Sequence, residues 1–157
     1  MAALEDQILD TWNIHNRINL YVLDAISPEA LMGTPASKGR NVGEEFAHMH
    51  NVRLMWLKPA VPELMEGLEK IEKDQAPDKE RLQKALAASG EAIAMLLRQG
   101  MEGGGKIKGS KPHLVGFLGY LISHESYHRG EIGIILTQSG HPLDKKISYG
   151  MWEWEVR

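Results

Sequence analysis

Apolar residues recur at helical spacing in four long stretches, separated by polar or Gly/Pro-containing breaks. The first stretch covers residues 4 to 26. Leu4, Ile8, Trp12 (or Thr11), His15, Ile18, Val22 and Ile26 fall on one face, and Ser27-Pro28 ends the pattern. Residues 28–41 (PEALMGTPASKGRN) read as a loop with one turn around Glu29 to Met32. Asn41 suits an N-cap, with Glu44 three residues on as in a capping box. A second helix is therefore expected from Val42 to Lys58, stopped by Pro59. Pro62 points to a short helical turn around Glu63 to Ile71, and Asp74 to Asp78 reads as a break. A third helix fits Asp78 to Gln99, with Leu82, Leu86, Ile93, Leu96 and Leu97 inward. The run GMEGGGKIKGSKP is a flexible connection. A fourth helix fits Pro112 to Ser139, with Pro112 near its first turn and Gly140 as the stop. The tail, HPLDKKISYGMWEWEVR, is not clearly helical, and its Trp152 and Trp154 are expected to pack onto the rest.

No strand pair with turn chemistry is visible, nor any internal repeat. Four substantial helices around one core predict an all-α chain, a four-helix bundle of antiparallel type over residues 1–157. The connections 27–41 and 100–111 are long for simple hairpins, so one of them is expected to cross the bundle.

Composition narrows the function. The 157 residues suffice for one domain with a sizeable core. The 43% hydrophobic and 25% charged content is ordinary for a soluble protein. A net charge of −3 gives no footprint for nucleic acid, and no Lys/Arg block suggests a membrane patch. No stretch approaches the ~20 apolar residues of a spanning helix. The first residues are amphipathic and carry Glu5 and Asp6, unlike a signal peptide, so a cytoplasmic setting is expected. There is no cysteine, so any metal must use His, Asp, Glu or backbone oxygen.

Histidines supply the candidate chemistry. On the fourth helix the inward stripe reads Phe117, Leu121, His124, His128, Glu131, Ile135. His124 and His128 project from one face, one turn apart, at a spacing that lets two imidazoles grip one cation. Unpaired polar groups on such a face cost roughly 1–3 kcal/mol each, so they need partners. These partners are either a hydrogen-bonded core network or a metal. On the second helix His48 shares its face with Glu45, Val52 and Met55. His50 points about 200° away, which suggests a surface or interface position. His113 lies about 16 Å from His124 along the fourth helix, too far to share its ion. His141 falls in a solvated loop, and His15 reads as a core or supporting residue.

His124-Glu125-Ser126-Tyr127-His128 also matches H-E-x-x-H, the helix of zinc peptidases in which the glutamate is the general base. The longer metzincin pattern is absent, since Glu131 and Ile134 stand where it needs glycine and histidine. No sheet is visible to bind an extended peptide.

The segments PHLVGFLGYLISHESYHRGEI and TQSGHPLDKKISYGMWEWEV resemble the last helix and tail of the DinB/YfiT-like superfamily. VGEEFAHMHNVRLMWL resembles its second helix, where a metal-binding histidine precedes a tryptophan by eight residues, here His48 and Trp56. The resemblance spans nearly the whole chain. It implies a four-helix bundle of unusual connectivity, often a homodimer, with a divalent ion held by His48, His124 and His128. It also implies possible thiol-dependent transferase or isomerase chemistry. Glu131 stands where related sequences often carry glutamine, placing a negative charge near the ion.

Three imidazoles leave a coordination position open, unlike closed structural zinc sites. Irving–Williams ordering with nitrogen donors favours copper, nickel or zinc, and nickel or zinc is the expected ion. The leading expectation is a metal-dependent enzyme, a hydrolase or a thiol-dependent S-transferase, acting on a small molecule. Glu125 (base or ligand orienter) and Arg129 (anchor for an anionic substrate group) are weak catalytic candidates; a solvated flank and a salt bridge are their plainer roles. The alternative is a non-catalytic metal-binding or dimeric interaction protein.

Overall fold

A computed structural model describes residues 2–157. Four long helices dominate: α1 (Leu4–Asp24), α2 (Val42–Ala60), α3 (Lys79–Glu102) and α4 (Leu114–Gln138). A short α5 (Lys145–Gly150) follows, and no strand occurs among the described residues. Asn41 caps α2 as expected, its Oδ1 accepting the Glu44 N–H at 2.8 Å. Asp78 does the same for α3 through Arg81 N–H. The helix pattern therefore predicted the long elements within a few residues.

Four local differences have physical reasons. α2 continues through Pro59 to Ala60. Proline removes the bond to the Met55 carbonyl, but Met55 is exposed and its carbonyl lies on the wet side of the last turn. α4 starts two residues later than expected, because His113 is the N-cap and its Nδ1 accepts the Gly116 N–H. The tail contains α5, started by Asp144 accepting from Lys146 N–H. Trp152 does not pack: it is 77% exposed, while Trp154 is half-buried. What anchors the tail is Arg157, stacked 3.8 Å over the Tyr21 ring and donating to the Gly150 carbonyl.

The order of helices around the bundle is α1, α3, α2, α4. One end of the core joins Val22 and Leu23 of α1, Val42 and Phe46 of α2, Leu82 of α3 and Ile135 of α4. The other end joins Leu9, Leu57, Leu97 and Leu114. Hence α1 and α4 run one way, and α2 and α3 run the other. The expected antiparallel bundle is thus up-down-down-up. The connection that travels the bundle's length is neither of the two long loops but residues 61–78. It must return about 28 Å, the length of 19 helical residues, to start α3 beside the start of α2. Its composition obscured this, because Pro62 and Gly67 (φ +75°) look like ordinary breaks. Two anchors hold it to α2. The Asn51 amide exchanges two 2.9 Å bonds with the Ile71 backbone, and Ile71 and Ala76 are buried. At Gly43 the crossover passes so closely that a Cβ would meet the Ala76 carbonyl.

Candidate metal centre

α2 and α4 are neighbours, and their facing sides carry His48 and the His124/His128 pair. One donor atom from each of the three rings lies within 4.8 Å of the others. Ring centroids are 4.5 Å apart for His48–His128, 4.6 Å for His124–His128 and 5.3 Å for His48–His124. The rings are tilted 56–68° to one another, so they converge rather than stack. His128 is buried, and the other two are half-buried.

The residues suit a cation. His128 Nδ1 sits 2.6 Å from Glu45 Oε2. A carboxylate only accepts, so Nδ1 carries the proton and Nε2 keeps its lone pair. A carboxylate behind an imidazole is the usual support of a metal-ligating histidine. His124 Nδ1 is buried without a hydrogen-bond partner, a costly state that a cation or its water would relieve. Desolvation first, then the charge of Arg40 and the neighbouring imidazoles, lowers the His48 pKa to about 4. Desolvation and His128 likewise lower His124. Neutral imidazole is the ligating form.

Aromatic side chains hold the site from one side. Trp56 meets Phe117 and Tyr120 edge-on, at 5.3 and 5.6 Å. Tyr120 in turn stacks on His124 at 6.1 Å and 17°. His48 also lines an open cavity of about 780 Å³ between α2 and the crossover.

Both weak catalytic candidates lie elsewhere. Glu125 is one residue from His124, hence about 100° around the helix, and it points into the core. It is fully buried. Arg53 grips both its oxygens, Nη2 to Oε1 at 2.6 Å and Nε to Oε2 at 2.8 Å. Asn19 and His15 add bonds to Oε1. Burial alone would raise Glu125, yet the Arg53 charge and hydrogen bonds, with His15, hold it at about 2. A carboxylate so engaged is no general base, and the H-E-x-x-H reading loses its catalytic member. Arg129 turns to α1, donating to Asn19 Oδ1 at 2.6 Å, so it does not reach a ligand near the three histidines. The expected salt bridge does not form among the described residues; Arg129 bonds instead to the neutral Asn19 amide, which donates in turn to Glu125.

Other histidines sort as follows. His50 does point away from His48, but it is buried, not superficial. Its Nδ1 meets Ser89 Oγ at 3.0 Å, and its Nε2 donates to the Glu69 carbonyl at 2.8 Å. His15 is a core residue. His141 is half-buried, not fully solvated, and His113 is an exposed cap. Glu131 is half-buried and outside the converging trio; its hydrogen bond to Tyr127, and then its charge, push the Tyr127 phenol up. Sequence reasoning missed Glu45 as a partner of His128 and Arg53 as the core cation. Glu45 left a trace, since it precedes His48 by one helical turn on the same face.

A family model described as DinB family matches residues 1–146. The chain belongs to the DinB family. Comparison with curated proteins finds no match. For this DinB-family chain the match covers α1 to α4 and stops within α5, so all three histidines and Glu45 lie inside it. The helical bundle and a cluster able to hold a metal ion are thereby in place. Among the described residues, no helix is long and apolar enough to cross a membrane.

Proposed function

We propose that this DinB-family protein binds one divalent ion, nickel or zinc, through His48, His124 and His128. In this reading it acts in the cytoplasm as a metal-dependent hydrolase or thiol-dependent S-transferase. The observation that carries the reading is the convergence of three imidazoles from two helices, with Glu45 behind one of them and a cavity beside another. Three protein ligands leave a position for an exogenous group. An ion there would act as a Lewis acid and render a bound water or thiol more acidic. The chain's own residues do the positioning. Glu45 fixes the His128 tautomer, and Tyr120 stacks on the His124 ring.

Elemental analysis of protein purified without a nickel column tests the metal. About one divalent ion per chain is expected, lost in His48→Ala, His124→Ala or His128→Ala. Unchanged metal content in His124→Ala would defeat the assignment. Turnover of ester or thiol-conjugation substrates, abolished by chelation and restored by metal, tests the enzyme.

A second reading is a dimeric, non-catalytic metal protein. It is favoured by an exposed stripe on α4, where Tyr120, Tyr127 and Ile134 repeat every seven residues. Sedimentation of wild type against Tyr127→Glu/Ile134→Glu tests the homodimer: a dimer that persists in the double variant rejects this face.

A further inference from the structure

The cavity beside His48 is unevenly charged. Its wall carries Arg40, Lys70 and Lys73 against Glu44 and Glu72. Lys70 and Glu72 pair with each other, Nζ to Oε1 at 3.2 Å, and so cancel. Lys73 makes no ion pair among the described residues. Arg40 has only a loose approach to Glu45, at 4.0 Å, and remains 44% exposed. Glu45 itself is committed to His128. Two cations thus face the cavity against Glu44 alone. They come from separate segments, Arg40 just before α2 and Lys73 in the crossover. The crossover wall is fixed, because Asn51 ties Ile71 and Gln75 caps the turn that begins at Glu72.

We infer that Arg40 and Lys73 form a subsite for the anionic group of a small-molecule ligand lodged in the cavity beside His48. The inference rests on the reading that the three histidines hold an ion, and it adds the class of molecule delivered to it: one carrying a metal-seeking atom and, a few bonds away, a carboxylate or similar anion. A planar guanidinium suits a two-oxygen anion, and a lysine lining the same cavity adds a point charge. A volume of about 780 Å³ accommodates a ligand of metabolite size. The acidic balance of the whole chain makes this patch a local departure, not a consequence of general basicity.

The test uses full-length protein loaded with Co²⁺, whose visible spectrum reports metal uptake and whose thiolate charge-transfer band reports ligand binding. Three thiols of similar size but different tail charge are titrated: 3-mercaptopropionate, 2-mercaptoethanol and cysteamine. The carboxylate tail is expected to bind about tenfold tighter than the neutral one, and the amine weakest. In Arg40→Gln and Lys73→Gln the carboxylate advantage shrinks to about threefold or less, while Co²⁺ content and 2-mercaptoethanol affinity stay at wild-type levels. Raising salt narrows the wild-type advantage, as expected of exposed charges. Equal affinity for the three tails with Co²⁺ bound overturns the anion subsite and leaves the metal site standing. A carboxylate advantage retained in both variants overturns the assignment to Arg40 and Lys73. Failure to take up Co²⁺ overturns both readings.

Discussion

Two glutamates on facing helices, Glu45 on α2 and Glu125 on α4, carry different loads. Glu45 touches His128 and nothing deeper, whereas Glu125 is the centre of a buried network on Arg53, Asn19 and His15. Glu45→Gln keeps the shape and loses the charge that fixes the His128 proton. Metal affinity should fall about 10–100-fold by calorimetry, with helix content unchanged. A wild-type affinity would mean that His128 needs no support. Arg53→Met acts on stability instead. It leaves Glu125 charged, fully enclosed and without its main partner. Urea unfolding should show a loss of roughly 3–5 kcal/mol, much of it restored in Arg53→Met/Glu125→Leu. If the double variant is no better than the single one, the ion pair itself is what holds the four helices. The three histidines were legible because spacing places His124 and His128 on one face. Their meeting with His48 was implied by the family resemblance alone, since one helix pattern carries no information about which neighbour it faces. Glu125 misled for a related reason: H-E-x-x-H is a statement about sequence order, and one residue on a helix turns a side chain about 100° toward a different environment.

At the scale of elements, the sequence marks where helices begin more clearly than how they connect. Asn41 and Asp78 are capping residues whose chemistry is local, and both caps form. Asn41→Ala should cost about 1 kcal/mol in urea unfolding, and no loss would mean that another group takes the Glu44 N–H. The crossover was hidden because its anchors are long-range. Asn51 reaches 20 residues along the chain to Ile71, and Gly43 accommodates the backbone at Ala76. Neither contact leaves a periodic signature. Gly43→Val is expected to displace the crossover and destabilise by about 1–3 kcal/mol, beyond the effect of a helix-propensity change, because the clash is with backbone and not with a flexible side-chain tip. Limited proteolysis should then cut within residues 61–78 first. Cleavage confined to the tail would show that the crossover is held some other way.

The whole molecule should respond to acid in two stages and to metal in one. Burial is the leading cause of the lowered pKa values of His15, His50, His48 and His124. An unfolded chain takes up these protons near 6.5, and the folded chain resists them until lower pH. Stability of the metal-free protein is therefore full above about 6.5 and falls as the pH drops toward 4, the His48 value. Glu125, depressed from 4.5 to about 2, extends the loss below that window. A bound ion adds stability only while the imidazoles are neutral. At a free concentration 100 times its dissociation constant it adds about 2.7 kcal/mol. For a chain of this size that corresponds to a Tm increase of roughly 5–10 °C near pH 7.5. The increment should vanish in His124→Ala and close in wild type as the pH falls through 4, because protons then compete for the same lone pairs. Calorimetric scans of wild type and His124→Ala, with and without Ni²⁺ or Zn²⁺, at pH 7.5, 6 and 3.5 check this directly. An equal increment in His124→Ala would mean that the ion stabilises the fold from some other place. An increment unchanged at pH 3.5 would mean that its ligands are not imidazoles.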